Sequence, residues 1–166
     1  MTISKKIQDA FNKQINEELH SAYIYLAMAA HFDEKNLKGM GQWMKTQAKE
    51  EVGHAMRFFT HIVDRNGTVA LDAVEKPRAG WKNAADIFEA ALRHEQYITG
   101  KIHALVTIAE AEKDRAAWQM LQWFVQEQIE EEATADENAT KAKMVKDDPA
   151  GLLALDKALG KRASKE

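Results

Sequence analysis

Residues 44–62, MKTQAKEEVGHAMRFFTHI, decide the fold. Read at a spacing of three to four, they give one helical stripe: Met44, Ala48, Glu51, His54 or Ala55, Phe58 and Ile62. The stripe is apolar except at its middle. Glu51-x-x-His54 puts a carboxylate and an imidazole on one helical face. Three other segments carry the same pattern. One reads Ile7, Phe11, Ile15, Glu18, Ala22, Tyr25, Ala29; another Ala84, Phe88, Ala91, Glu95, Ile98, Ile102, Leu105; a third Ala117, Leu121, Phe124, Gln128, Glu131, Ala135. Each is interrupted by acidic or polar residues near its midpoint, at about residues 20, 52, 98 and 130. Central positions meet at one level whichever way each helix points.

Punctuation outside the stripes sets the helix ends. The spacing predicts helices over about 5–35, 37–66, 83–113 and 115–146, with a short fifth over 152–160. Ser4 is placed to cap the first, and Asn66-Gly67 to stop the second. Asp147-Asp148-Pro149-Ala150-Gly151 reads as the end of the fourth. Short turns make the first and second helices antiparallel, and likewise the third and fourth. A helix of about 30 residues is about 45 Å long. The linker from Thr68 to Lys82 can span that length at about 3.3 Å per residue. The second and third helices can therefore run parallel. The expectation is one all-α domain over 1–166, a four-helix bundle with one long crossover.

Composition narrows the function. Only two prolines interrupt a chain rich in good helix formers. The net charge of −3 gives no basic field for nucleic acid. Cysteine is absent, which excludes disulfides, thiolate zinc sites and cysteine-ligated iron–sulfur clusters. The N-terminal MTISKKIQDAFNKQ has no apolar run of signal-peptide length, and no stretch approaches the ~20 apolar residues of a membrane span. A cytoplasmic location is expected.

Burying one ionised carboxylate costs several kcal/mol unless it is paired. No Lys or Arg lies beside Glu18, Glu51, Glu95 and Glu131 on the stripes. Two divalent metal ions would balance their four charges. Carboxylates with one imidazole suit iron or manganese. Glu51, central among them, could bridge the two ions. A single acid in a stripe has a plain reading as a snorkelling side chain, and a lone Glu-x-x-His recurs by chance. Four helices interrupted at mid-height do not share that reading. Tyr25 follows Glu18 by two turns on the same face. It is either a core aromatic whose hydroxyl found a partner or a group that serves the site.

Several blocks resemble the prokaryotic non-haem ferritins over nearly the whole chain. They are Asn16-Glu17-Glu18-Leu19 with Tyr25, the run from Gln47 to Met56, His94-Glu95-Gln96, and the run from Leu121 to Glu132. The resemblance implies a ferritin-like four-helix bundle with one long crossover and a short fifth C-terminal helix. It implies that Glu18, Glu51 and His54 hold one iron, that Glu51 bridges, and that Glu95 and Glu131 hold the second. Gln128 would line the site, and Tyr25 would be its nearby tyrosine. Glu50, Glu127 and Glu130, with Glu131 reaching across, would match a third, weaker iron site; a solvated acidic face is the alternative. Glu17 falls one residue off the pattern.

Departures separate the chain from other bundles of this kind. The fourth helix has no histidine, and Val52 stands where bacterioferritins place a haem-ligating methionine, so haem is not expected. The implied activity is oxidation of Fe(II) by oxygen or hydrogen peroxide, with ferric mineral stored in a homo-oligomeric shell of 24 subunits. Trp43, Trp81, Trp118 and Phe59 are candidates for contacts between subunits or for plain core. A di-iron peroxidase or oxygenase, and a metal-free helical scaffold, are the rival readings.

Overall fold

Residues 1–162 are described by a computed structural model; residues 163–166, the end of the expected domain, lie outside them. The bundle is built from α1 (Lys5–Glu34), α2 (Lys38–Asp64), α3 (Ala84–Ala111) and α4 (Arg115–Met144), followed by α5 (Pro149–Leu159). The described residues contain no strand. Side-chain oxygens begin four of these helices. Ser4, Asn83, Asp114 and Asp148 accept from the backbone N–H groups of Ile7, Asp86, Ala117 and Ala150. Asn36, Asn66 and Lys113 take left-handed backbone angles where α1, α2 and α3 end. Lys113 does so without the asparagine or glycine that would signal it.

The expected end of α4 needs correction. Pro149 does not merely stop a helix; it occupies the first position of α5, with Asp148 as its cap. That position needs no N–H donor and suits proline's fixed φ. The fifth helix therefore starts three residues earlier than the 152 expected, and α4 stops at Met144.

The crossover lies along α1. Gln8, Asn12 and Asn16 share one face of α1 at four-residue spacing. Their amides bond in turn to Thr68, to Thr68 and Ala70, and to Asp72 and Ala73. The linker thus climbs from the start of α1 towards its end, where Trp81 meets His31. Consequently α3 begins at the end of the bundle where α2 also begins, and the two run parallel. The chief packing pairs are α1 with α2 and α3 with α4.

The core is divided. One apolar cluster fills the end around Met28, Phe32, Met40, Trp43, Met44 and Phe88. The other fills the end around Ile7, Phe11, Phe58, Ile62, Ile102 and Phe124. Between them lie the buried polar residues Glu18, Glu51, His54, Glu95, Gln128 and Glu131. Of the aromatics considered for subunit contacts, Trp43 is core, at 3% exposure. Trp81 and Phe59 pack partly buried on the core, and Trp118 is exposed.

α5 docks on α2 by close backbone approach. A Cβ at Gly39 would lie 1.8 Å from the Asp156 carbonyl oxygen, and one at Gly160 would lie 2.9 Å from the Gly39 Cα. α2 lacks a side-chain cap of its own at Leu37. Asp156 supplies one from α5, accepting from the Met40 N–H at 2.8 Å. Asp156→Ala should therefore cost about 1 kcal/mol, the usual worth of a cap. Gly39→Ala should cost more, because it forces α5 away from α2. Thermal unfolding of the two variants checks the order.

Candidate metal centre

The middle layer is assembled from one or two turns of each bundle helix. Glu18, Glu51 and His54 each offer a ligand atom, and these atoms lie within 4.8 Å of one another. His54 Nδ1 is 3.3 Å from Glu51 Oε2 and 4.0 Å from Glu18 Oε2. Glutamines one turn earlier orient two of the acids. Gln14 Nε2 donates to Glu18 Oε1 at 2.9 Å, and Gln47 Nε2 donates to Glu51 Oε1 at 3.1 Å. Gln47 Nε2 also reaches across to Glu131 Oε2 at 2.9 Å, joining α2 to α4.

Glu95 is held from two sides. The Tyr25 hydroxyl donates to Glu95 Oε1. Gln128 Nε2 lies 3.2 Å from Glu95 Oε2 and also contacts Thr99 Oγ1. The expected members thus fall into two bonded groups in one buried layer, Glu18, Glu51, His54 and Glu131 on one side and Tyr25, Glu95 and Gln128 on the other, and the charges of Glu51 and Glu131 act on Glu95 between them. Two of its buried oxygens, Glu18 Oε2 and Glu131 Oε1, have no hydrogen-bond partner. Buried carboxylate oxygens are rarely left so. Carboxylate oxygens beside an imidazole are suitable donors for iron, and these two are free to take that role.

The three further acids stand differently. Glu50 and Glu127 are largely buried, and Glu130 is exposed. A cleft of about 1150 Å³ between α2 and α4 is lined by Glu50, Gly53, His54, Arg57, Trp123 and Glu127. It opens the His54 side of the layer to solvent. Glu17 turns away and pairs with Tyr97 and Lys101.

Sequence reasoning missed the cation. Arg162, past the end of α5, donates to Gln47 Oε1 at 2.7 Å and to Glu50 Oε2. Its guanidinium stands 4.5 Å from the centroid of the Trp43 ring. Its hydrogen bonds go to Gln47 and Glu50 rather than to Glu18, Glu51, Glu95 or Glu131, and only its charge is felt at Glu131. No local pattern could have shown it, because Arg162 and Gln47 lie 115 residues apart. Gln14 and Gln47, by contrast, are visible in the sequence four residues before Glu18 and Glu51.

Burial and mutual repulsion set the protonation of the layer. Burial raises Glu18 to about 8, and the charge of Glu51 adds to this. Burial and then Glu51 raise Glu131 to about 7, and both push Glu95 well above its usual range. Burial also opposes charge on Glu51 itself. The hydrogen bond with His54, its charge and the Gln47 amide outweigh it, and Glu51 ends below its usual range. For His54, burial acts downward, but Glu51 first, then Glu18 and Glu131, raise it to about 9. Burial followed by Glu95 keeps the Tyr25 phenol protonated. At neutral pH the metal-free layer thus centres on one ion pair, Glu51 with His54, among protonated or partly protonated acids.

Glu18, Glu131 and His54 all have folded values above their unfolded ones, so the folded state binds the extra protons. Their contribution to stability is complete below the unfolded values and is lost as pH rises through about 7 to about 9. The melting temperature of the metal-free protein should fall between about pH 7 and pH 9, above the range in which the depressed imidazoles of His61 and His94 act the other way. Glu18→Gln should flatten that fall, and an excess of a divalent metal ion should offset it. A melting temperature independent of pH in the metal-free parent would contradict this assignment.

Comparison with known proteins agrees with this fold. Residues 8–145 match the ferritin-like domain of the ferritin family. The bacterial non-haem ferritin of Bacteroides fragilis is 40% identical over 160 residues, covering 96% of this chain and 99% of its own. That of Staphylococcus aureus is 34% identical over 164 residues, covering 99% of each. Among solved structures, a closed form of the Archaeoglobus fulgidus ferritin engineered by site-directed mutagenesis has a TM-score of 0.97 at 45% identity, covering 99% of this chain and 100% of that one. The open-pore ferritin from the same hyperthermophilic archaeon has a TM-score of 0.95 at 45% identity, covering 97% and 98%. The chain belongs to the ferritin family, among its prokaryotic non-haem members.

Proposed function

We propose that the protein oxidises Fe(II) within its bundle and stores the ferric product inside a homo-oligomeric shell of 24 subunits. The observation that carries this reading is the buried acidic layer, with Glu51 at its centre. Glu51 raises each of Glu18, Glu95 and Glu131, so its charge is felt by every other acid of the layer. A bridging carboxylate needs that position. Glu18, Glu51 and His54 hold one Fe(II); Glu51, Glu95 and Glu131 hold the other. Glu50, Glu127, Glu130 and Glu131 form a third, weaker site on the cleft side.

The residues act mainly through charge and protons. Binding two Fe(II) displaces protons from Glu18, Glu95, Glu131 and His54, so uptake strengthens as pH rises. Each Fe(II) gives up one electron. Oxygen takes both electrons with two protons and leaves as hydrogen peroxide; hydrogen peroxide as oxidant takes them with two protons to give two waters. The hard carboxylates favour Fe(III) over Fe(II) and so pull the reaction forward. Tyr25 holds Glu95 by donating a hydrogen bond to one oxygen, and Gln128 fixes the other. No haem takes part in this reading, and the protein works in the cytoplasm without nucleic acid or membrane.

Anaerobic titration with Fe(II) followed by oxygen, read by ferric absorbance, tests the proposal. The parent should oxidise about two irons per subunit rapidly, matching a site of two bridged ions. Glu51→Ala should slow this by at least about 100-fold, since even groups that only support a metal ligand are worth roughly 10–100-fold. Rapid oxidation that survives Glu51→Ala would contradict the bridging role. Proton release on anaerobic Fe(II) binding at neutral pH is a second expected outcome, measurable with a pH indicator. Binding without proton release would contradict the protonation assigned to the layer.

A further inference from the structure

Arg162 belongs to none of the four bundle helices, yet it reaches the acidic layer. α5 places it there. The paired glycines Gly39 and Gly160 let the two backbones touch, and Asp156 ties α5 to the start of α2. Two residues after Gly160, the guanidinium is fixed by three contacts: Gln47 Oε1, Glu50 Oε2 and the Trp43 ring. Its side chain is 17% exposed and that of Glu50 is 5% exposed. The pair is therefore largely withdrawn from solvent, where charges act strongly on one another.

Glu50 faces two claims. It lines the cleft with Glu127 and His54, and a divalent ion entering there would need its carboxylate oxygens. The guanidinium already binds one of those oxygens. A second cation at the same carboxylate would be repelled by the first. We propose that Arg162 is a built-in competitor for the third iron site, holding Glu50 until a divalent ion takes that carboxylate. This rests on the reading of Glu50, Glu127, Glu130 and Glu131 as a third site.

The exchange has a consequence inside the bundle. Because Gln47 Oε1 accepts from Arg162, its Nε2 is obliged to face Glu51 and Glu131. When Arg162 leaves, the amide loses the partner that fixes its direction. Occupancy of the third site is thereby linked to the setting of Glu51 and Glu131. Arg162 acts as a positioning residue for that pair as well as a rival cation at Glu50.

The test uses the intact, metal-free protein, titrated anaerobically with Co(II) and read by visible absorbance and calorimetry. In the parent, two ions per subunit should bind before a weaker third. Arg162→Leu should tighten the third by at least about tenfold and leave the first two in number. Arg162→Lys keeps the charge but not the forked, stacked geometry, and should tighten the third by less than the neutral variants do. Arg162→Gln removes the charge, keeps a donor for Glu50, and should behave as Arg162→Leu does even if the latter is poorly folded. Adding Glu50→Gln to Arg162→Gln should abolish the gain. A third affinity unchanged or weakened in both neutral variants would overturn the proposal. So would a Lys variant as tight as the neutral ones, because packing rather than charge would then be the cause. Loss of the third event in every variant, with the first two intact, contradicts this inference alone. Absence of the first two ions in the parent contradicts the proposed function itself.

Discussion

Everything in this bundle depends on keeping acidic side chains at the centre of a helical core. A buried, unpaired carboxylate is costly, and four on one level repel one another. The fold meets this with three devices. Burial favours the protonated forms of Glu18, Glu95 and, in part, Glu131, so that charge is concentrated on Glu51. His54 supplies the opposing charge. Amides from Gln14, Gln47 and Gln128 satisfy oxygens that water cannot reach. Two oxygens remain without a donor, Glu18 Oε2 and Glu131 Oε1. A protein built only for stability would gain by replacing these acids with apolar residues of similar size. The apolar clusters at both ends offset the cost of the polar middle.

The same constraint explains how much could be read from the sequence. Burial imposes a spacing of three to four, so Ile7, Phe11 and Ile15 announce a stripe and Glu18 stands out against it. The all-α class, the crossover and the acidic level follow from such local patterns. Boundaries were less legible where one residue permits two meanings. Pro149 can end one helix or begin another, and only its placement on the Asp148 cap decides. Lys113 turns the chain between α3 and α4 with no residue that advertises a left-handed angle. Trp43 looked equally suited to a core or a subunit contact, and its packing under Arg162 and against Phe88 makes it core. Arg162 itself was beyond reach, since tertiary docking of α5 brings it to Gln47.

That docking joins the end of the chain to the chemistry. Gly39 and Gly160 touch, Asp156 caps α2, and Arg162 then reaches Gln47 and Glu50. Gln47 in turn holds Glu51 and Glu131. A short helix outside the bundle therefore helps set the geometry inside it. The cleft between α2 and α4 lies on the same side. Solvent access, the tail cation, Glu50 and Glu127 thus converge on one flank of the acidic layer, while Tyr25 and Gln128 fix Glu95 within it.

The most direct test of the central claim is anomalous diffraction at the iron edge from crystals soaked anaerobically in Fe(II). Two peaks about 3.5–4 Å apart are expected, as for bridged metal ions. One should lie among Glu18, Glu51 and His54 and the other among Glu51, Glu95 and Glu131. A single peak, or iron bound only at surface acids with the layer empty, would contradict the account.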